Sequence, residues 1–389
     1  MKKLFFLLIP VLFCFQNRVS AQVEWSGIAD VGFSMGGPDS KFISNGISNR
    51  YPNFSLMNLN LFLGSQISED FSFSGKLLYA PAQYGYGSYP RLVFASVNYD
   101  PAGESYGFSI GRVLTPFGLF AKRQHSTENI SFLPPLVYGY FINISSLRGY
   151  WPISGDNGSY GSDDVGLNSV FQGGYQMGLK GYYAFEDLFD VELMISNAPV
   201  SAGSEVKNSG SISGSGRIGI KPVMWANLGF SGSYGSYMER TGENSVIGNI
   251  QKYKQTTLGT DASFAYSYFE LSGEYIYSSW TAPKFAKGAF VNNLGAHPTF
   301  NLFNHGAYAD LKIDIPQIPG LFIAGRFDRI WFDKVQNVVW DLDHDRFTGV
   351  IGYTWQKGIL LKLVGFTQTN SGAVDFKEDG LAALITVSF

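Results

Sequence analysis

The stretch LAALITVSF, Leu381–Phe389, carries an apolar side chain at every second position: Leu381, Ala383, Ile385, Val387 and Phe389 share one parity, and Thr386 and Ser388 share the other. A period of two is the strand period and sends the two sets to opposite faces of a sheet. Soluble sheets contain such strands too, so the rest of the chain must decide what the apolar face looks at.

The pattern recurs. In MNLNLFLGSQI, Leu59, Leu61, Leu63 and Ile67 alternate with Asn58, Asn60 and Gln66; in FSFSGKLLY, Phe71, Phe73, Leu77 and Tyr79 alternate with Ser72, Ser74 and Lys76. In FDVELMIS, Phe189, Val191, Leu193 and Ile195 oppose Asp190, Glu192 and Ser196; in AYADLKIDI, Ala307, Ala309, Leu311, Ile313 and Ile315 oppose Asp310, Lys312 and Asp314. A sandwich turns its polar faces outward and leaves edges. A closed barrel in lipid gives the apolar set acyl chains, gives the polar set a wet lumen, and leaves no edge unpaired.

Composition agrees. The chain has 46 Gly, 23 Tyr and 33 Phe, with aromatics at 16% and charged residues at only 15%. With near-neutral mean hydropathy, this is the balance produced by alternation along strands rather than by apolar helices. The segment MKKLFFLLIPVLFCFQNRVSAQ reads as an export signal: Lys2 and Lys3, an apolar run from Leu4 to Phe15, then small residues before Gln22. The run is too short to span a bilayer as a helix. Cleavage is expected after Ala21, giving a signal at 1–21 and a barrel at 22–389. The single cysteine, Cys14, leaves with the signal, which excludes a disulfide scaffold or thiol enzyme. Residues 1–21 contain three of the 28 basic residues and none of the 31 acids, so the remainder carries a formal charge of −6. That argues against a nucleic-acid partner.

The connections alternate in length. Short turns at Glu69–Asp70, DPAGES, FEDLF, KPVMW, YSYF, PQIPG and QKG alternate with longer pieces such as APAQYGYGSYPR, MERTGENSVIGN and TAPKFAKGAFVNNLGAHPTF. Short periplasmic turns and long outer loops are the outer-membrane barrel pattern, and the segments number about 16, an even count that returns both ends to one side. The third outer loop, 116–168, is roughly fifty residues long where most connections are under about 15. Its Phe132, Leu133, Tyr138, Phe141, Leu147 and Trp151 need a surface to pack on, so the loop is expected to fold into the lumen.

SIGRVLTPFGLF followed by SFLPPLVYG, with GTDASFAYSYFELSGEYIY and AGRFDRIWF further on, resembles the Gram-negative outer-membrane porin superfamily, near its phosphate-selective O/P branch. The most specific piece is GRxxxPFG, formed by Gly111, Arg112, Pro116, Phe117 and Gly118. The resemblance implies a 16-stranded all-β barrel, a homotrimer, and a third loop that narrows the pore. The acidic balance and the absence of a run of lumen arginines depart from the phosphate-selective members.

A pore needs charges at its narrow point, where low-dielectric walls focus their field. The loop offers Lys122, Arg123, His125, Glu128 and Arg148, then Asp156, Asp163 and Asp164; the alternative for each is an ordinary solvated loop charge. Arg112 has the lipid-side parity of Phe108 and Ile110, so either a bulge at Gly111 turns it inward or it snorkels at the interface; the bulge is the favoured expectation. Asp261, Glu274, Arg326 and Asp328 fall on the polar parity as lumen residues, either touching solute or forming a wall network. Trp25, Tyr79, Tyr99, Trp225, Tyr277, Trp331 and Trp355 fit interfacial girdles.

Catalytic and metal sites find no support. His125, His297, His305 and His344 lack metal-ligand spacing. GSGRIG, Gly214 to Gly219, matches a dinucleotide fingerprint but does not open a helix after a strand. DLDHD, Asp341–Asp345, could hold a divalent cation but is more often a surface charge cluster. The expectation is therefore a porin, without cofactor, passing small hydrophilic solutes or ions and contacting outer-membrane lipid and lipopolysaccharide. The alternative is a plugged barrel that acts through its outer loops.

Overall fold

The computed structural model describes residues 23–37, 52–81, 89–147, 149–150, 166–186, 188–202, 210–240, 249–283, 299–335, 340–371 and 377–389. The export segment, Arg148, Trp151, Asp156, Asp163, Asp164 and His297 lie outside them.

The strands are β1 (Val23–Gly36), β2 (Asn53–Gln66), β3 (Phe71–Tyr79), β4 (Arg91–Tyr99), β5 (Tyr106–Leu114), β6 (Ile144–Ser145), β7 (Gly149–Tyr150), β8 (Tyr175–Phe185) and β9 (Phe189–Ser196). They continue as β10 (Ser213–Val223), β11 (Ala226–Ser236), β12 (Lys254–Tyr266), β13 (Phe269–Pro283), β14 (Thr299–Asp314), β15 (Leu321–Phe332), β16 (His344–Gln356), β17 (Ile359–Asn370) and β18 (Lys377–Ser388). Apart from the small β6–β7 hairpin, the sixteen strands form one closed antiparallel barrel. Each pairs with its chain neighbours, and β18 returns to β1 with Ala29 opposite Val387 and Val31 opposite Ile385. The backbone of Phe389 exchanges both hydrogen bonds with Gly27, at 2.8 and 3.0 Å, completing the seam.

The faces follow the alternation. On β18, Leu381, Ile385 and Phe389 are exposed on the outside, whereas Ala382, Leu384 and Thr386 are buried inside. On β9, Leu193 is 64% exposed and its neighbour Glu192 only 8%. The outer face therefore presents a band of exposed Leu, Ile, Val and Phe side chains. Trp25, Trp225 and Trp355 stand exposed near the turn ends of β1, β11 and β16, with Tyr266 edge-on to Trp225.

Inside, alternation alone misleads. Met57, Phe322, Val350, Val364 and Leu384 form a buried apolar cluster on the inner wall, with Phe132 of the long loop packed on it. Met57 joins it because the β1–β2 register shifts between Asp30 and Val31. Trp280 and Trp340 are fully buried in a second cluster that includes Leu136, Tyr140, Ile142 and Ile144 of the loop. Parity places a side chain inside the barrel; it does not say whether water or another piece of chain meets it there.

The β5–β8 connection runs from 115 to 174, wider at both ends than the sequence suggests. Val170 and Phe171 look like the start of a strand. Their amides instead bond to Val137 O at 3.2 Å and Val200 O at 2.8 Å, and Thr115 N closes the loop base on Gly174 O at 2.7 Å. The loop turns into the lumen, as its aromatic content requires.

Candidate functional site in the barrel lumen

The loop enters through the Pro116–Phe117–Gly118 turn. Gly118 has φ +63°, and a Cβ there would fall 2.3 Å from Glu274 Oε2 and 2.4 Å from the Tyr138 hydroxyl, so only glycine fits. Its amide donates to Ser231 Oγ at 3.0 Å. The turn presents the Leu119 and Phe120 amides to Glu274 of β13, which accepts from Leu119 N at 2.8 Å and from Phe120 N. The same carboxylate accepts from the Tyr138 hydroxyl of the loop at 2.6 Å and the Tyr308 hydroxyl of the wall at 2.7 Å. Four donors around one buried carboxyl are the complement of its ionised, acceptor-only form. Burial first, then the neighbouring Glu274, pushes the Tyr138 hydroxyl well above the usual tyrosine range, so it stays a donor.

The second station is the single helical turn Leu136–Gly139, whose leading amide, Leu136 N, donates to Asp328 Oδ1 at 2.7 Å. Asp328 also holds Arg346 at 2.9 and 3.1 Å, and Arg346 reaches on to Pro134 O. Beside them Arg326 pairs with Asp310 at 2.6 and 2.7 Å and donates to Leu133 O at 2.8 Å and Asn129 Oδ1 at 3.0 Å. The third station is Lys362, whose ammonium bonds to the Ser126 and Asn129 carbonyls, while Asp30 accepts from the Ser126 hydroxyl at 2.6 Å. Wall charges on β13, β15, β16 and β17 thus terminate on loop backbone and Asp30 of β1 on a loop hydroxyl, so the loop supplies partners for groups too costly to bury alone.

Close approach on this side needs a missing side chain as well. A Cβ on Gly306 of β14 would lie 2.4 Å from Val137 Cβ and Cγ2. Gly306→Ala is expected to weaken loop docking by about 1–3 kcal/mol through overpacking, read as a lower urea midpoint of the folded barrel. Val137→Gly in the same chain should recover part of the loss; an unchanged midpoint in the single variant would contradict the packing.

The residues singled out from sequence divide into groups. Asp261, Glu274, Arg326 and Asp328 all face inward and are buried. Asp261 pairs with Arg217 at 2.7 and 3.1 Å, and the other three hold the loop. Lys122 pairs with Glu192, which also takes Lys180 at 3.3 Å, and Arg123 pairs with Glu270 and donates to Ser272 Oγ at 3.0 Å. Glu128 is exposed, its amide bonded to His125 O at 2.9 Å. His125 sits edge-on to Phe62; burial, with the Lys76 ammonium adding, holds its imidazole down at about 3, so it is neutral.

The expected bulge at Gly111 is not where the register shifts. The β4–β5 and β5–β8 ladders run through Gly111 in step, with Ser96 and Gly178 opposite it and Ala95 and Met177 opposite Arg112. Gly111 does take φ +132°, and a Cβ there would fall 2.3 Å from Ala95 O, which explains the glycine without a slip. The shift lies on the adjacent pair, between Lys76 and Leu77. Arg112 keeps the parity of Ile110 and donates to Leu92 O at 3.1 Å beside that shift. In DLDHD the carboxylates diverge: Asp341 accepts from the Tyr140 hydroxyl and Asn143 N, both at 2.8 Å, whereas Asp343 and Asp345 flank Arg329 at 3.6 and 3.5 Å.

The sequence put Lys76 on the polar parity without marking it as a site residue, and passed over Arg217, Arg346 and Lys362, although each sits on the inward parity of its strand. Against the wall of β2–β5 the loop leaves room. Two cavities of about 80 and 160 Å³ adjoin Lys76 and Gln124. The inward face there is a ladder of small polar groups bonded to each other: Asn60 to Asn58 at 2.6 Å, Ser74 with Ser96 at 3.1 Å, and Asn98 to Ser74 at 3.1 Å.

The fold has clear counterparts. An anion-selective porin from Comamonas acidovorans superposes with a TM-score of 0.59 at 10% identity, over 95% of this chain and all of that one. OmpT, an outer membrane protein of Vibrio cholerae solved in trimer form, gives 0.58 at 8% identity over 95% and 99%. The outer membrane channel DcaP of Acinetobacter baumannii gives 0.55 at 10% identity over 96% and 99%. No protein-family model and no curated protein matches the sequence. At these identities the likeness establishes a shared barrel architecture.

Proposed function

We propose that the protein is an outer-membrane porin, exported through a cleaved signal at 1–21, that passes small hydrophilic solutes or ions along the β2–β5 side of its lumen while the third loop occupies the other side. The observation that carries this reading is the division of the inner wall. Charges on β13 and β15–β17 are held by the loop, whereas among the described residues the Asn and Ser ladder on β2–β4 bonds within the wall and borders the cavities beside Lys76. Lys122 and Arg123, each neutralised by a glutamate, act as scaffold here rather than as the selecting charges. The outward apolar band takes lipid and lipopolysaccharide, and part of it serves a homotrimer. The GRxxxPFG piece supports a position near the phosphate-selective branch of the superfamily.

The plugged-barrel alternative draws on the dry packing of the loop against Phe322, Val350 and Trp280. One pair of measurements separates them. The native protein in planar bilayers should give discrete conductance steps, and a chain lacking about forty residues of the third loop should conduct several-fold more. A folded native barrel that passes no current and swells no liposomes sinks the porin reading; one that conducts only after the deletion establishes the plug.

A further inference from the structure

Lys76 is inward-facing on β3, only 3% exposed, and stands apart from the other buried cations of the lumen. Arg217, Arg326 and Arg346 each meet an aspartate, and Lys362 meets two loop carbonyls. For Lys76 the described residues provide no hydrogen bond and no ion pair. Its ammonium lies 5.6 Å from the centre of the Phe62 ring and 5.8 Å from that of Tyr175. Two ring faces offset part of the cost of burying the charge but do not replace a counter-ion. Among the described residues the lysine therefore has no counter-charge, and it lines both cavities.

That space has a definite chemistry. Both cavities adjoin Lys76, and among the described residues no acidic side chain lines either of them. The larger, about 160 Å³, is lined by Leu78, Arg91, Val93, Arg112, Phe171 and Tyr175 among others. It lies at the long-loop end of β3, β4, β5 and β8, the side from which solute would enter the barrel. Cations beside aromatic and aliphatic walls match an anion with an apolar body. They match inorganic phosphate poorly, since its several oxygens would each lose water against carbon.

We propose that this pocket is an entry site for small organic monocarboxylates, with Lys76 as the buried charge that receives the carboxylate and the Phe171 and Tyr175 rings bounding its apolar body. The inference rests on the channel reading for its biological use but not for its test, because binding is measured without current. Equilibrium dialysis of benzoate against folded protein in detergent should give one saturable site per chain. Lys76→Met should weaken it roughly tenfold or more, the size of one charge-assisted contact. Lys76→Arg should stay within about threefold, and inorganic phosphate should bind at least roughly tenfold more weakly than benzoate. Replacing an unpaired buried charge with an apolar side chain of similar length favours folding. As a check on the native chain, benzoate should protect Lys76 from acetylation by acetic anhydride, read by mass spectrometry. No saturable benzoate site, equal binding by Lys76→Met, unprotected acetylation, or phosphate binding as tightly as benzoate would each overturn the proposal. Benzoate binding in a barrel that never conducts would sink the porin reading and leave the site standing.

Discussion

Glu274→Ala is expected to release the front of the third loop and raise single-channel conductance several-fold. The substitution leaves four donors without their acceptor: two backbone amides of the loop entry, the Tyr138 hydroxyl and the Tyr308 hydroxyl. A buried donor left unsatisfied costs about 1–3 kcal/mol. Water admitted to the vacated space recovers part of this, but several kcal/mol of loop docking should still be lost. Glu274→Gln keeps one acceptor oxygen and brings two donors of its own, which face donors; its effect should go the same way and be smaller. The barrel itself should survive, because the strand ladder beside Glu274, with Asp261 and Tyr308 opposite, does not depend on the side chain. Two readouts decide. Conductance should rise, and limited proteolysis of the folded barrel should cut between Leu119 and Tyr138 in the variant but not in the native chain. Native conductance together with native protease resistance in Glu274→Ala would show that the loop is held without this anchor.

The barrel was legible because two independent rhythms agree, side-chain parity within segments and the short–long order of connections between them. Sixteen strands follow from those, and the inward turn of the third loop from its length and its aromatic side chains. The inward position of Asp261, Glu274, Arg326 and Asp328 was legible for the same reason. Their tasks were not. Leu136 N and Asp328 lie far apart in sequence, and nothing in either segment announces the pairing. Nor does parity report the dryness of the inner wall at Phe322, Val364 and Leu384, which is created by Phe132 arriving from the loop. Lys76 reads in FSFSGKLLY like any lumen charge; what sets it apart is the lack of a counter-charge, a property of its surroundings. At Gly111 the glycine suggested a bulge. The chain spends it on close contact with Ala95 O, and places the register shift one strand away.

The second large effect should come from the Asp328–Arg346 pair, and here the order of the variants matters more than any one value. Arg346 is fully buried, held by both oxygens of Asp328, and donates to Pro134 O. Asp328→Leu strands that guanidinium and also removes the acceptor for Leu136 N, so it should cost about 3–5 kcal/mol. Arg346→Leu strands the carboxylate instead, but Leu136 N still neutralises part of it at 2.7 Å, so the loss should be smaller. Joining the two substitutions removes both charges and leaves apolar side chains facing each other across the β15–β16 register. Much of the single-variant loss should return, although the Leu136 amide remains unsatisfied and keeps the double variant below native. Urea unfolding in lipid vesicles, followed by tryptophan fluorescence, gives the three midpoints, and the interior Trp280 and Trp340 supply the signal. A double variant as unstable as Asp328→Leu would mean that the loop amide, rather than the ion pair, dominates this station. The pair would then owe its place to fixing the helical turn Leu136–Gly139, because a charge ladder that can be deleted without further loss contributes position and not stability.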